Sequence, residues 1–180
     1  MKKIPTLFQR GDDRRSVIDA VTTGCEWVLT GEGRATRKWD GTCCKVESGR
    51  LYARREVKAG GAIPADFTLE ELDANTGKAF GWVPVGNGPE WAIHREAFTG
   101  NELDGTYELI GPKINRNPDH WDHHALIPHG VAGPAIDPPR TYDGLRRFLA
   151  DLDWEGLVFW HPDGRKAKIK RRDFPRDVAA

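Results

Sequence analysis

Lys38-Trp39-Asp40-Gly41 runs directly into Thr42-Cys43-Cys44-Lys45-Val46 and then, past Glu47-Ser48-Gly49-Arg50, into Leu51-Tyr52-Ala53-Arg54-Arg55-Glu56-Val57. Two strand-like runs around a Ser-Gly turn predict a β-hairpin, so the fold is read as one built on antiparallel strands. In an extended Lys-x-Asp both side chains lie on one face, because residues two apart point the same way. Gly41 permits a turn or the close approach of a phosphate. An amine, a carboxylate and a glycine in this order suit covalent nucleotidyl transfer. The same letters also describe a plain strand closing in an Asp-Gly turn. In the second strand Tyr52, Arg54 and Glu56 share a face, which sends Arg54 either toward a ligand or into water.

The bulk composition narrows the context. A chain of 180 residues with 38% hydrophobic and 30% charged residues and seven Trp suits one globular domain with a real core. Lys plus Arg and Asp plus Glu number 27 each, so any attraction to nucleic acid must come from a local patch. The cysteines are Cys25, Cys43 and Cys44; an odd count with two adjacent thiols argues against a disulfide framework, and no Cys-x-x-Cys zinc pattern is present. No apolar run after Met1-Lys2-Lys3 is long enough for a signal peptide or a membrane span, so a cytoplasmic protein without a membrane partner is expected.

Along the chain, residues 4–8 read as a short strand. Residues 14–21 read as a helix with Val17, Ile18 and Val21 at i, i+1, i+4. Residues 26–30 read as a strand, and residues 58–78 as a loop-bearing insertion with one helical turn at Leu69-Glu70-Glu71-Leu72. Gly81-Trp82-Val83-Pro84-Val85-Gly86 is too proline-broken for a central strand, and residues 89–98 fit a helix or a strand. Gly105-Thr106-Tyr107-Glu108-Leu109-Ile110-Gly111 reads as a compact strand whose Glu108 faces either a ribose or water. His120, His123, His124 and His129 with Asp119 and Asp122 lack the spacing of a metal helix and are read as a loop over the site. Thr141 caps a helix from Tyr142 to about Leu152, with Leu145, Phe148, Leu149 and Leu152 at i, i+3, i+4, i+7. A second hairpin joins Trp154-Glu155-Gly156-Leu157-Val158-Phe159-Trp160 to the basic run 165–172, where Lys168 and Lys170 share a face. A basic edge strand that discourages pairing has the same pattern.

Taken in order, these segments resemble the covalent nucleotidyltransferase superfamily of ATP-dependent ligases and capping enzymes. Lys38-Trp39-Asp40-Gly41 is similar to its nucleophile motif, Ala53-Arg54 to its ribose and phosphate contact, and Tyr107-Glu108-Leu109-Ile110-Gly111 to its ribose-binding strand. Glu155-Gly156 and Lys168-Ile169-Lys170 are similar to its last two motifs. Asp40-Gly41-Thr42-Cys43-Cys44, Gly81-Trp82-Val83-Pro84-Val85, Glu108-Leu109-Ile110-Gly111 through Asn115, and Pro128-His129-Gly130 further resemble the vertebrate-type 5′-to-3′ RNA ligases. Arg37 stands where those ligases usually carry a glutamate.

The resemblance spans residues 36–171. It implies an α+β fold of antiparallel β-sheets with flanking helices, in a single minimal nucleotidyltransferase domain over 1–180 without a C-terminal accessory domain. It implies a monomer that uses ATP and magnesium, or manganese in its place, to join RNA 5′-phosphate to 3′-hydroxyl ends. Lys38 would be the nucleophile, with Asp40, Glu155, Lys168 and Lys170 as its catalytic partners; Asp40 and Glu155 would hold a metal ion through water. Thr36, Arg37, Gly41, Arg54 and Glu108 would contact the nucleotide. A free lysine titrates near 10.4, so the fold is expected to lower Lys38 by about three pH units, roughly 4 kcal/mol. An ammonium ~5 Å away at an effective dielectric of ~20 contributes on the order of 3 kcal/mol toward that. A capping-type guanylyltransferase or DNA ligase would share this chemistry, whereas a non-catalytic RNA-end binding module would keep only the fold.

Overall fold

The computed structural model describes residues 2–130 and 136–175. In chain order its elements are β1 (Phe8–Arg10), β2 (Val17–Val21), α1 (Glu26–Leu29), β3 (Arg34–Lys38), β4 (Thr42–Glu47), β5 (Arg50–Val57) and β6 (Thr68–Leu72). There follow β7 (Ala79–Pro84), α2 (Ala92–Ala97), β8 (Gly105–Ile110), β9 (Ala125–Pro128), α3 (Tyr142–Ala150), β10 (Gly156–Trp160) and β11 (Lys166–Lys170). The architecture is mixed α+β, dominated by antiparallel sheets with few helices. By its internal contacts the chain divides into two compact units. One holds Met1–Lys3 and Asp40–His129, the other Ile4–Trp39 and Gly130–Ala180.

The first unit is a six-stranded sheet in the order β6-β7-β5-β4-β8-β9. The hairpin expected from residues 42–57 forms, with Glu47 opposite Arg50 across the two-residue Ser48-Gly49 turn. Period-two alternation sends Cys44, Val46, Leu51, Tyr107 and Leu109 into a buried cluster with Ala97 of α2. Cys43, Lys45, Tyr52, Arg54, Thr106 and Glu108 therefore occupy the opposite face.

The second unit pairs β1 with β2 and sets β11-β10-β3 as a three-stranded sheet. Leu157, Phe159, Ala167, Ile169 and Ala35 point to one side of that sheet and are buried with Leu145 and Leu149 of α3. Phe8 and Phe174 meet the Tyr142 ring edge-on, with centroids 5.1 and 5.2 Å away. As expected, Thr141 caps α3, its hydroxyl accepting from the Gly144 N–H at 3.2 Å.

Several local expectations are corrected. Residues 17–21 form strand β2: Val17 is fully buried while Ile18 is 47% exposed, so the apolar residues never made one helical face. Residues 26–29 form a single helical turn that buries Trp27 and Val28. Leu69 to Leu72 lie in strand β6, paired with β7 through a register shift, which leaves Leu69 and Leu72 largely exposed. β7 is an interior strand despite Pro84. Its ladder with β6 ends at Trp82, so Pro84 withholds no N–H from that neighbour. The histidine-rich stretch is a loop only in part, because Ala125–Pro128 extends the sheet as β9.

Removing the α3 cap by Thr141→Ala should cost about 1 kcal/mol of stability. Leu149→Ala, at a side chain with no exposure, should cost about 2–5 kcal/mol. Urea unfolding followed by circular dichroism checks both.

Candidate functional site

The three-stranded sheet of the second unit has one apolar face and one cationic face, and its register fixes which residues share the latter. Gly156 lies opposite both Lys38 and Lys170; Val158 lies opposite Thr36 and Lys168; Trp160 lies opposite Arg34 and Lys166. Three rows of three result, with β10 running down the middle. The same alternation puts Leu157, Arg37 and Ile169 on the other face.

The first row is held by Glu155, immediately before β10. Its Oε2 accepts a hydrogen bond from Lys38 Nζ, and its Oε1 accepts one from Lys170 Nζ at 2.5 Å. Arg172 Nη2 stands 3.8 Å from the same Oε1. The glutamate side chain is 7% exposed, and those of Lys38 and Lys170 are 18% and 17% exposed. Desolvation of so buried a carboxyl pushes its pKa up, but Lys38 and Lys170 together outweigh this and hold it below the ordinary value. Glu155 therefore contributes stability above the ordinary carboxylate range, and that contribution is lost on acidification through its folded value. Gly156 is obligatory here, because a Cβ would run into the carbonyl of Ile169.

Lys170 is fixed through its backbone as well. Asp173, which is 4% exposed, accepts from the Lys170 N–H at 3.0 Å and from Arg10 Nη2 at 2.7 Å. Lys168, in the second row, has no carboxylate within ion-pair distance among the described residues. Its pKa is lowered to about 8, first by burial and then by repulsion from Lys170 and Lys38. In the same row Thr36 Oγ1 accepts from the Trp160 indole N–H at 2.8 Å. Arg37 faces the other way, its guanidinium 3.9 Å from the Trp39 ring centroid and 5.4 Å from that of Trp154.

The first unit carries a separate polar constellation. Gly41 donates its N–H to Glu108 Oε1 at 3.1 Å, and a Cβ on Gly41 would strike the Leu109 carbonyl. Glu108 Oε2 lies 2.9 Å from His129 Nε2, and His129 Nδ1 lies 3.1 Å from Thr106 Oγ1. Asp40 Oδ1 accepts from Asn115 Nδ2 at 2.9 Å, and the Asp40 N–H donates to Asp119 Oδ2 at 3.2 Å. Arg54 lies on the same sheet face as Cys43, its guanidinium 5.2 Å from the Phe80 ring centroid. Burial and then Glu108 push the Cys43 thiol up to about 11, against the pull of Arg54, so it stays protonated at neutral pH.

Within the second unit, then, Lys38, Glu155, Lys168, Lys170 and Thr36 share a face and Arg37 does not. Asp40, Gly41, Arg54 and Glu108 belong to the first unit. His129 and Asn115 emerge as partners of Glu108 and Asp40, which no spacing in the sequence foretold. Lys166 was not singled out in the sequence, although Lys166-Ala167-Lys168-Ile169-Lys170 alternates cation and apolar residue throughout and places it on the face of Lys168 and Lys170. Among the described residues no group of three His, Cys, Asp or Glu side chains is arranged to ligate a metal ion. Both Glu155 oxygens are also taken by ammonium groups, so this donor set does not fit a directly ligated cation. No model of a known protein family matches the chain, and no curated protein matches it.

A lysine held below its free pKa costs stability while it is an ammonium. The cost is full below about 8 and is relieved as pH rises from there toward 10.5. Lys168→Met should therefore stabilise the protein at neutral pH by on the order of 3 kcal/mol, with the gain shrinking to nothing in strong alkali. Urea unfolding of both proteins across that pH range checks the size and the slope.

Proposed function

We propose that the chain is an ATP-dependent RNA ligase in which Lys38 carries AMP. The observation that supports this most is the convergence of Lys38 and Lys170 on Glu155, with Lys168 in the next row of the same sheet face. These are the residues that the resemblance names for nucleotidyl transfer, and they lie far apart in sequence.

In this reading Lys38 Nζ attacks the α-phosphorus of ATP. A nitrogen–phosphorus bond forms as the bridging oxygen leaves with pyrophosphate, and the amine proton passes to solvent. A 5′-phosphate oxygen of RNA then displaces the lysine, and the 3′-hydroxyl of a second end displaces AMP to close the phosphodiester. Glu155, kept anionic by its two lysines, orients the Lys38 amine. Lys168 and Lys170 stabilise negative charge on the transferring phosphoryl group, where phosphoryl chemistry relies on positioning and electrostatics. The repulsion that burdens Lys168 in the free protein is relieved when an anion arrives. Glu108 and Arg54 take ribose and phosphate contacts by resemblance, and the bonds from Gly41 and His129 hold the Glu108 carboxylate for such a role. The donor set fits no directly ligated ion, and magnesium enters with ATP as substrate.

Incubation with magnesium and ATP should add the mass of one AMP to the intact protein, GTP should add nothing, and Lys38→Ala should abolish the adduct. The adenylylated protein should then join RNA ends bearing 5′-phosphate and 3′-hydroxyl. An adduct that persists in Lys38→Ala, or none with any nucleotide, contradicts the proposal.

A further inference from the structure

In the first unit, Asp40-Gly41 is held by β8 and by the loop that follows it. The Asp40 N–H donates to Asp119 at 3.2 Å and the Gly41 N–H donates to Glu108 at 3.1 Å. Asn115 Nδ2 donates both to Asp40 Oδ1 at 2.9 Å and to the Gly41 carbonyl at 3.1 Å. Two acceptors at that atom require the nitrogen of the amide there, and an NH2 carries one hydrogen for each. Among the described residues no other donor reaches the Asp40 carboxylate.

The backbone that presents this amide is strained. Asn115, Arg116 and Asn117 have φ of 44°, 66° and 53° in succession, whereas residues with a side chain visit the left-handed region singly. Asn117 is compensated within the loop, its carboxamide donating to the Trp121 carbonyl at 2.8 Å and accepting from the Trp121 N–H at 2.9 Å. The Asn115 side chain has no such bond inside the loop among the described residues. Its two bonds go to Asp40 and Gly41, 75 and 74 positions earlier in the chain.

The loop is also anchored. At its start Gly111, with φ of 139°, lies so close to His124 that a Cβ would fall 2.6 Å from the imidazole Cδ2. The Lys113 N–H donates to His124 Nε2 at 3.3 Å, and Ile114 packs on the buried cluster of the first unit. His124 is itself buried, with Nδ1 2.9 Å from Glu96 Oε1. A turn alone needs none of this at position 115, because glycine takes a positive φ without strain. An asparagine held there under strain and aimed at a carboxylate is arranged for a task beyond the turn.

We propose that Asn115 is a positioning residue that acts through Asp40. Its amide fixes the rotamer of that carboxylate and the Asp40-Gly41 peptide, occupying one carboxylate oxygen and leaving the other for the reaction. The inference rests on the assignment of Lys38 as the nucleophile and Asp40 as its partner. A carboxylate already held by a fixed donor needs no reorganisation as the transition state forms, so the contact raises the rate of AMP transfer to Lys38 and not the affinity for ATP. Aspartate could not serve at position 115, because an ionised carboxylate only accepts hydrogen bonds.

Single-turnover formation of the lysyl-AMP adduct by the full chain, with urea unfolding alongside, tests this. Asn115→Gly removes the amide and gives the backbone a residue at ease with positive φ, so the variant should stay folded. At saturating ATP it should form the adduct at least about tenfold more slowly, the loss expected for one hydrogen bond to a charged group, with the half-saturating ATP concentration unchanged. In an Asp40→Ala background the same substitution should slow the reaction no further, because the two residues act as one unit. A wild-type rate in Asn115→Gly overturns the proposal. So does an equal further loss on top of Asp40→Ala, because Asn115 would then act by another route or only support the loop. If Asn115→Gly does not fold, Asn115→Asp, which keeps the shape and the tolerance of left-handed backbone but has no donor, supplies the same comparison. Wild-type protein that forms no adduct with any nucleotide would count against the ligase assignment itself; an adduct formed equally fast by wild type and Asn115→Gly would count against the positioning role alone.

Discussion

One buried carboxylate holds the cationic face together. Glu155 has an ammonium on each oxygen, and the strand that follows it is the middle strand of its sheet, so Lys38 on one neighbour and Lys170 on the other both converge on it. Desolvating ions is costly, and the Coulomb attraction repays it only where geometry is good and the remaining hydrogen-bonding capacity is used. Removing the carboxylate would leave two half-buried ammonium groups facing each other across Gly156, with Lys168 one row away. The bare glycine at that register position matters equally, since a side chain there would collide with the neighbouring backbone.

The other side of the same sheet supplies the rigidity that this arrangement needs. Leu157, Phe159, Ala167 and Ile169 are each fully buried against α3 and its surroundings. A strand that alternates so strictly cannot slip by one residue without exchanging its core for its cations. Precision at the cationic face is thus inherited from apolar packing. The arrangement also carries a cost: Lys168 occupies a half-buried position where an apolar side chain would stabilise the fold. A lysine kept there despite its depressed pKa is the kind of local disadvantage that accompanies a functional surface.

Much of this was legible in the sequence where local pattern and tertiary structure agree. The hairpin of β4 and β5, the capped helix α3 and the cation-apolar alternation of β11 all follow from period and turn chemistry alone. Lys38, Glu155, Lys168 and Lys170 were grouped by resemblance; the register of three strands brings the three lysines to one face, and Glu155, just before β10, meets Lys38 and Lys170 there. Legibility failed where short segments take their form from neighbours. Val17 to Val21 becomes a strand because β1 pairs with it, and Trp27 with Val28 can be buried from a single helical turn. Pro84 misled because a proline is excluded only from a bonded position, and β6 ends before reaching it. Arg37 was grouped with the nucleotide contacts by resemblance, and alternation along β3 sets it on the face opposite Lys38. His129 and Asn115 reach Glu108 and Asp40 only through long-range folding, for which no periodicity gives notice.

The claim that Glu155 offsets a crowded set of cations is tested most directly by a lysine side-chain NMR titration, with Lys168 assigned by its absence in Lys168→Met. The account predicts a midpoint of about 8 for Lys168 in the wild type, and a lower one in Glu155→Gln, because the glutamate charge favours the ammonium form. A Lys168 that titrates with free lysines near 10.4 in both proteins would contradict it.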